Sequence, residues 1–112
     1  MCLVVQIETP AGVAALDDIL AVEGVDAVFI GPSDLSANYG HIGNPGAPEV
    51  VEAVQSSLDK IAASDKASGI MALDPAAAKS YIDRGVDFVA VSIDARTLAL
   101  SLRAIAADMR NR

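Results

Sequence analysis

Short apolar runs recur along the chain, each closed by a turn or acidic residue and followed by a stretch with helical spacing. Leu3-Val4-Val5-Gln6-Ile7 predicts a buried strand that ends at Glu8. Thr9-Pro10 then supplies a helix cap with proline at the first helical position. The spacing of Val13, Leu16, Ile19 and Leu20 predicts one helix from Pro10 to about Val22, stopped by Gly24. Asp26 to Ile30 predicts a second strand, broken by Gly31-Pro32, with a short helical turn running to Asn38. Residues 39–49 are dense in Gly and Pro and predict a loop.

The alternation continues. A long helix is expected over 48–64, a strand over 68–73, and a helix from Pro75 to Arg84 behind a cap at Asp74. Gly85 closes that helix, Phe88 to Ile93 reads as the last strand, and a final helix capped at Asp94 is expected to run to the chain end. The order is β-α four times over, without a linker, so residues 1–112 form one domain with no internal boundary. Two stretches share a phrasing: "EGVDAVFIGPSD" and "RGVDFVAVSIDA" both place Gly-Val-Asp before an apolar run and an aspartate after it. Strands alternating with helices imply the α/β class and a parallel sheet.

A parallel sheet gathers its chemistry at the C-terminal ends of its strands. Glu8 ends the first strand, and Asp34 follows the second, 26 residues later. If those two strands are neighbours they lie roughly 5 Å apart, and one hard cation could bridge both carboxylates. The break at Gly31-Pro32 would then aim Asp34 and nearby backbone N–H groups at a ligand. A plain alternative for Asp34 is the N-cap of the following turn. His41, the only histidine, reads as a loop residue; Asp74 and Asp94 read as caps; and Ser92 is either a rim residue or a packed strand end. No glycine-rich phosphate loop is present.

Composition narrows the class. The chain is 53% hydrophobic with two Tyr, two Phe and no Trp, so aliphatic side chains must fill the core. Its net charge of −7 argues against nucleic acid and anionic membrane as partners. No run is long enough to span a bilayer, and no signal peptide pattern opens the chain. Cys2 is the only cysteine and has no paired base, which fits a reducing cytoplasm better than a disulfide or a catalytic thiol.

The stretch "VVQIETPAGVAALDDILAVEGVDAVFIGPSDLSANYGHIGNPGAPEV", continued by "ASGIMALDPAAAKSYIDRGVDFVAVSIDARTLA", resembles the metal-dependent (class II) pyruvate aldolases of the HpcH/HpaI family. The Gln-Ile-Glu-Thr and Gly-Pro-Ser-Asp-Leu-Ser motifs carry the resemblance, which covers essentially the whole chain. It implies a (β/α)8 TIM barrel of the phosphoenolpyruvate/pyruvate type, of which this chain would supply the last four units. Glu8 and Asp34 would ligate a divalent cation (magnesium, manganese or cobalt). The Ser33 and Asp34 amides would hold the pyruvate carboxylate, Gln6 would position the substrate, and Met71 and Ile93 would lie near the pocket.

The implied chemistry is Lewis-acid stabilisation of a pyruvate enolate. That carbon adds to an aldehyde, or is released when a hydroxy-oxo acid is cleaved. The family's catalytic histidine and pyruvate-binding arginine belong to the first barrel half and have no counterpart here. The related rival is the citrate lyase β-subunit/malyl-CoA lyase branch, and the rival of another class is a non-catalytic fragment or assembly module. Four strands alone would leave open edges and an unfilled inner face, expected at Val5, Val28, Ile30, Val89 and Val91. Homo-oligomerisation or association with the missing half would follow.

Overall fold

The computed structural model describes residues 1–111. Four parallel strands form one sheet in the order of the sequence: β1 (Val4–Ile7), β2 (Ala27–Ile30), β3 (Ala67–Ala72) and β4 (Phe88–Val91). Sequential order requires the same crossover each time, and right-handed crossovers put every intervening helix on one face. The helices are α1 (Pro10–Ala14), α2 (Leu16–Leu20), α3 (Pro32–Asn38), α4 (Pro48–Ala62), α5 (Pro75–Asp83) and α6 (Asp94–Arg110). The sheet is open, with its helical layer on one side.

The register decides which residues are core. Val5 pairs with Val28, Ile7 with Ile30, and Ile30 with Ile70, so these side chains share the helix-facing side. There they pack with Leu16, Leu35, Val50, Val54, Leu58 and Ile61 into one apolar cluster. α4 packs its Val50, Val54, Leu58 and Ile61 stripe into the sheet, and Arg84 ties α5 to it through Asp59 at 2.6 Å and the Gln55 carbonyl at 3.1 Å.

The other side of the sheet carries Val4, Gln6, Ala27, Phe29, Gly69, Met71, Phe88 and Ala90. This corrects the expected inner face. Val28 and Ile30 are completely buried under the helices, and Val5 and Val89 pack against the same core. In strands that are apolar on both sides there is no polar alternation to reveal the face. On the open side the Phe29 ring lies across Gly69, where a Cβ would come within 2.6 Å of it. Phe88 stacks obliquely on Phe29, with ring centroids 5.8 Å apart, and stays 60% exposed.

Two further departures concern helices. The segment expected as one helix from Pro10 breaks at Ala15, whose φ and ψ of −88° and 5° separate α1 from α2; the apolar face still points inward, with Leu16 buried. α6 packs only loosely: none of its described residues is buried, and Leu98, Leu102, Ile105 and Met109 form an exposed stripe. Val91, on the helix side of β4, is consequently half exposed. No described helix is long and apolar enough to cross a membrane.

The repeated Gly-Val-Asp phrase has one structural meaning in both places. Gly24 and Gly85 turn the chain with φ of +90° and +92°, which only glycine adopts without strain. The valine enters the core side, and the aspartate accepts a bond from the start of the preceding strand. Asp26 accepts from the Leu3 amide at 2.6 Å, and Asp87 from the Ser68 amide and hydroxyl, each at 2.8 Å. These bonds from Ser68 hold the Asp87 carboxyl below the usual aspartate range.

Candidate metal and substrate site

The opposite rim is built differently. β1 ends at Ile7, and Glu8 follows on the side shared with Gln6, two residues before it. β2 ends at Ile30, whose neighbour in the ladder is Ile7, so Glu8 and Gly31 leave the sheet side by side. A Cβ on Gly31 would stand 2.9 Å from Glu8 Oε1 and 3.0 Å from its Cγ. The glycine is therefore a seat for the Glu8 side chain as well as a strand break.

α3 starts immediately after this glycine, with Pro32 in its first turn. Asp34 is the third residue of α3, inside the first turn and not its cap; Gly31 occupies the cap position and offers no side-chain acceptor. The helices after β1 and β3 are finished differently. Thr9 caps α1 through the Gly12 amide at 3.0 Å, and Asp74 caps α5 through the Ala77 amide at 3.0 Å. At the start of α3 the early N–H groups, including those of Ser33 and Asp34, have no intrahelical acceptor. They are available to an anion.

Among the described residues, neither the Glu8 nor the Asp34 carboxylate has a hydrogen-bond or salt-bridge partner in the chain. The backbones that carry them are nevertheless joined. Asn38 Nδ2 donates to the Glu8 carbonyl and to the Asp34 carbonyl, both at 3.0 Å. No group of three or more His, Cys, Asp or Glu side chains among the described residues converges on a common point. The donor set is thus two hard carboxylates on adjacent segments of one rim, which suits an oxygen-loving divalent ion that keeps positions open for other ligands.

The other candidates fall elsewhere or are already satisfied. Gln6 lies on the open face, opposite Phe29 in register, and lines a shallow depression with Val4, Phe29, Met71 and Phe88. His41 pairs with the Glu49 carboxylate at the start of α4, not with Glu8 or Asp34. Ser92 takes a left-handed φ of 69° at the end of β4, and its hydroxyl bonds Thr97 at 3.1 Å. Asp94 is the first residue of α6, and Ile93 holds the cap position instead; the Asp94 carboxylate accepts only from its neighbour Ala95 at 2.7 Å. Ile93 is half exposed, and Cys2 is free and exposed. Beside Ser33, a cavity of about 300 Å3 opens between α4 and α5, with Tyr81 at its wall. Burial raises the Tyr81 hydroxyl above its ordinary value, against the opposing effect of Arg84.

Sequence reasoning did not single out Asn38. The signal available to it was the i, i+4 spacing from Asp34, which is too common to stand alone.

Residues 1–100 match the family described as HpcH/HpaI aldolase/citrate lyase. The chain belongs to that family. It is 50% identical over 110 residues to a hydroxypyruvate/pyruvate aldolase of Roseovarius nubinhibens, an alignment covering 98% of this chain and 43% of the relative. With a 4-hydroxy-2-oxo-heptane-1,7-dioate aldolase of Salmonella paratyphi B it shares 48% over 107 residues, 96% of this chain and 41% of that protein. The fold matches a crystal structure of an HpcH/HpaI-family protein from Burkholderia cenocepacia J2315 with a TM-score of 0.88 and 35% identity, over 98% of this chain and 43% of the other. The HpcH/HpaI chain thus spans about two-fifths of the length of the curated relatives it matches.

Proposed function

We propose that this chain forms the second half of a (β/α)8 aldolase barrel, a carbon–carbon lyase acting on hydroxy-oxo acids with pyruvate as the common fragment. The observation that carries the reading is the rim itself: two unpartnered carboxylates, Glu8 and Asp34, beside a helix start that no side chain caps. Glu8 and Asp34 would hold a divalent ion (magnesium, manganese or cobalt). Such an ion supplies Lewis-acid stabilisation of negative charge on a keto oxygen. The amides of Ser33 and Asp34 bind the substrate carboxylate, using N–H groups that would otherwise face water. Gln6 presents its amide from the open face and orients the substrate over the rim. The first barrel half provides the proton-transfer and anion-binding side chains that this half lacks.

Association is part of this reading. The open face exposes Val4 and Phe88, and α6 exposes its apolar stripe. At roughly 25 cal/mol per Å2 of apolar surface, covering several such side chains contributes several kcal/mol, comparable to the stability of a small domain. The partner is the complementary barrel half or further copies of the chain, in the cytoplasm.

Titration calorimetry with Mn2+, with and without pyruvate, tests the site. Pyruvate is expected to tighten Mn2+ binding, and an acyl-CoA competing in its place would favour the citrate lyase β-subunit/malyl-CoA lyase branch. Hydroxy-oxo acid cleavage is expected only after the complementary half is added. Absence of Mn2+ binding in the complemented protein would leave a non-catalytic assembly module as the better reading.

A further inference from the structure

We infer that Asn38 is the positioning residue of the two-carboxylate rim, its side-chain amide setting the spacing between the backbones that carry Glu8 and Asp34. The inference rests on the reading of those two residues as metal ligands. Asn38 is the last residue of α3. Its Nδ2 has two N–H groups and spends both: on the Glu8 carbonyl, 30 residues away, and on the Asp34 carbonyl, one helical turn back, each at 3.0 Å. A residue that merely finished its own helix would need only the second bond.

The first bond matters because the ladder has stopped. The last backbone bond from β1 to the neighbouring segment runs from the Gly31 amide to the Ile7 carbonyl at 3.2 Å. Glu8 lies one residue beyond it. Among the described residues, no other side chain bonds the backbones of both Glu8 and Asp34. Asn38 thus holds the Glu8 carbonyl, while the missing Cβ of Gly31 leaves room for its carboxylate.

Cation ligation demands oxygen positions good to a few tenths of an ångström, at about 2.0 to 2.6 Å from the ion. Two ligands on independently mobile segments would have to be brought together when the ion binds. Asn38 places that ordering in the folded chain beforehand. Groups that orient metal ligands from outside the coordination sphere typically change affinity by roughly ten- to a hundredfold. Asn38 acts on the backbone, so the lower end of that range applies.

The test uses the 112-residue chain and two variants. Asn38→Ala removes both donors. Asn38→Ser keeps a hydroxyl able to reach the Asp34 carbonyl one turn back but too short to reach Glu8. Mn2+ affinity is read by electron paramagnetic resonance, ligand geometry by the visible spectrum of bound Co2+, and stability by urea unfolding without metal. Both variants are expected to weaken Mn2+ binding roughly tenfold and to alter the Co2+ spectrum, with Asn38→Ser losing little stability. A purely structural tie would lower the urea midpoint while leaving Mn2+ affinity and the Co2+ spectrum of the folded protein unchanged. Should Asn38→Ala not fold, parent-like Mn2+ binding by Asn38→Ser alone overturns the proposal. A parent chain that binds no Mn2+, alone or complemented by the first barrel half, sinks the ligand reading and the clamp together; a binding parent with unchanged variants sinks only the clamp.

Discussion

The two rims of the sheet use the same residue types in opposite ways. At the N-terminal ends of the strands, Asp26 and Asp87 spend their carboxylates on backbone and hydroxyl donors of the strand beside them. At the C-terminal ends, Glu8 and Asp34 spend theirs on no donor among the described residues. Burial does not separate the pairs, since Asp87 and Asp34 are both exposed. What separates them is the supply of donors. A strand entering a sheet brings a free N–H that its neighbour has not yet claimed. A strand leaving it ends in carbonyls, and the donors beyond it belong to helix starts: the Asp74 carboxylate takes one at α5, whereas Asp34, already inside the first turn of α3, takes none among the described residues. One rim is therefore tied together by its acids, and on the other Glu8 and Asp34 are left without a partner among the described residues.

The strongest break of this contrast removes a rim ligand. Glu8→Ala or Asp34→Ala is expected to abolish Mn2+ binding, followed by calorimetry, while the urea midpoint stays at or slightly above the parent value. Parent-like metal binding in both variants would mean the site lies elsewhere.

Gly31→Ala should have a smaller effect. The new Cβ meets Glu8 at 2.9 Å, so the glutamate must leave its rotamer or the backbone must move. Mn2+ affinity should fall roughly two- to tenfold, the range of an off-rotamer penalty. The same titration distinguishes this from no change.

Asp87→Asn probes the tied rim and should do the reverse, lowering stability while leaving Mn2+ affinity intact. The pH dependence follows from its depressed carboxyl. Unfolded aspartate titrates near ~4, and the folded value is lower. The stabilisation is therefore complete above about pH 4 and is lost as pH falls through the folded value. Urea midpoints measured from neutral to strongly acid pH should drop less steeply in Asp87→Asn than in the parent.

The smallest effect is expected for Ser33→Ala. If the amide is the anion donor, pyruvate affinity in the metal-loaded, complemented protein should stay within about twofold. A tenfold loss would assign the contact to the hydroxyl.

Much of this was legible along the chain. Thr9-Pro10 and Asp74-Pro75 announced α1 and α5, and both caps formed as written, because a cap bond is local. The placement of Glu8 and Asp34 on one rim needed only strand direction, which the β-α repeat supplies. Asp94 shows where local reading fails. Ile93 took the extended cap geometry instead, and α6 began with Asp94 itself.

The sequence by itself therefore determined the order of elements, the parallel sheet, and the rim on which the acids lie. Each of these follows from contacts between near neighbours or from the direction of the chain. The tertiary structure decided the rest. Val28 and Ile30 went under the helices while Gln6, Phe29 and Met71 took the open face, because strands apolar on both sides are assigned a face only by what packs against them. It also brought the Asn38 amide onto the Glu8 carbonyl, a contact across 30 residues that exists only once β1 and α3 stand side by side.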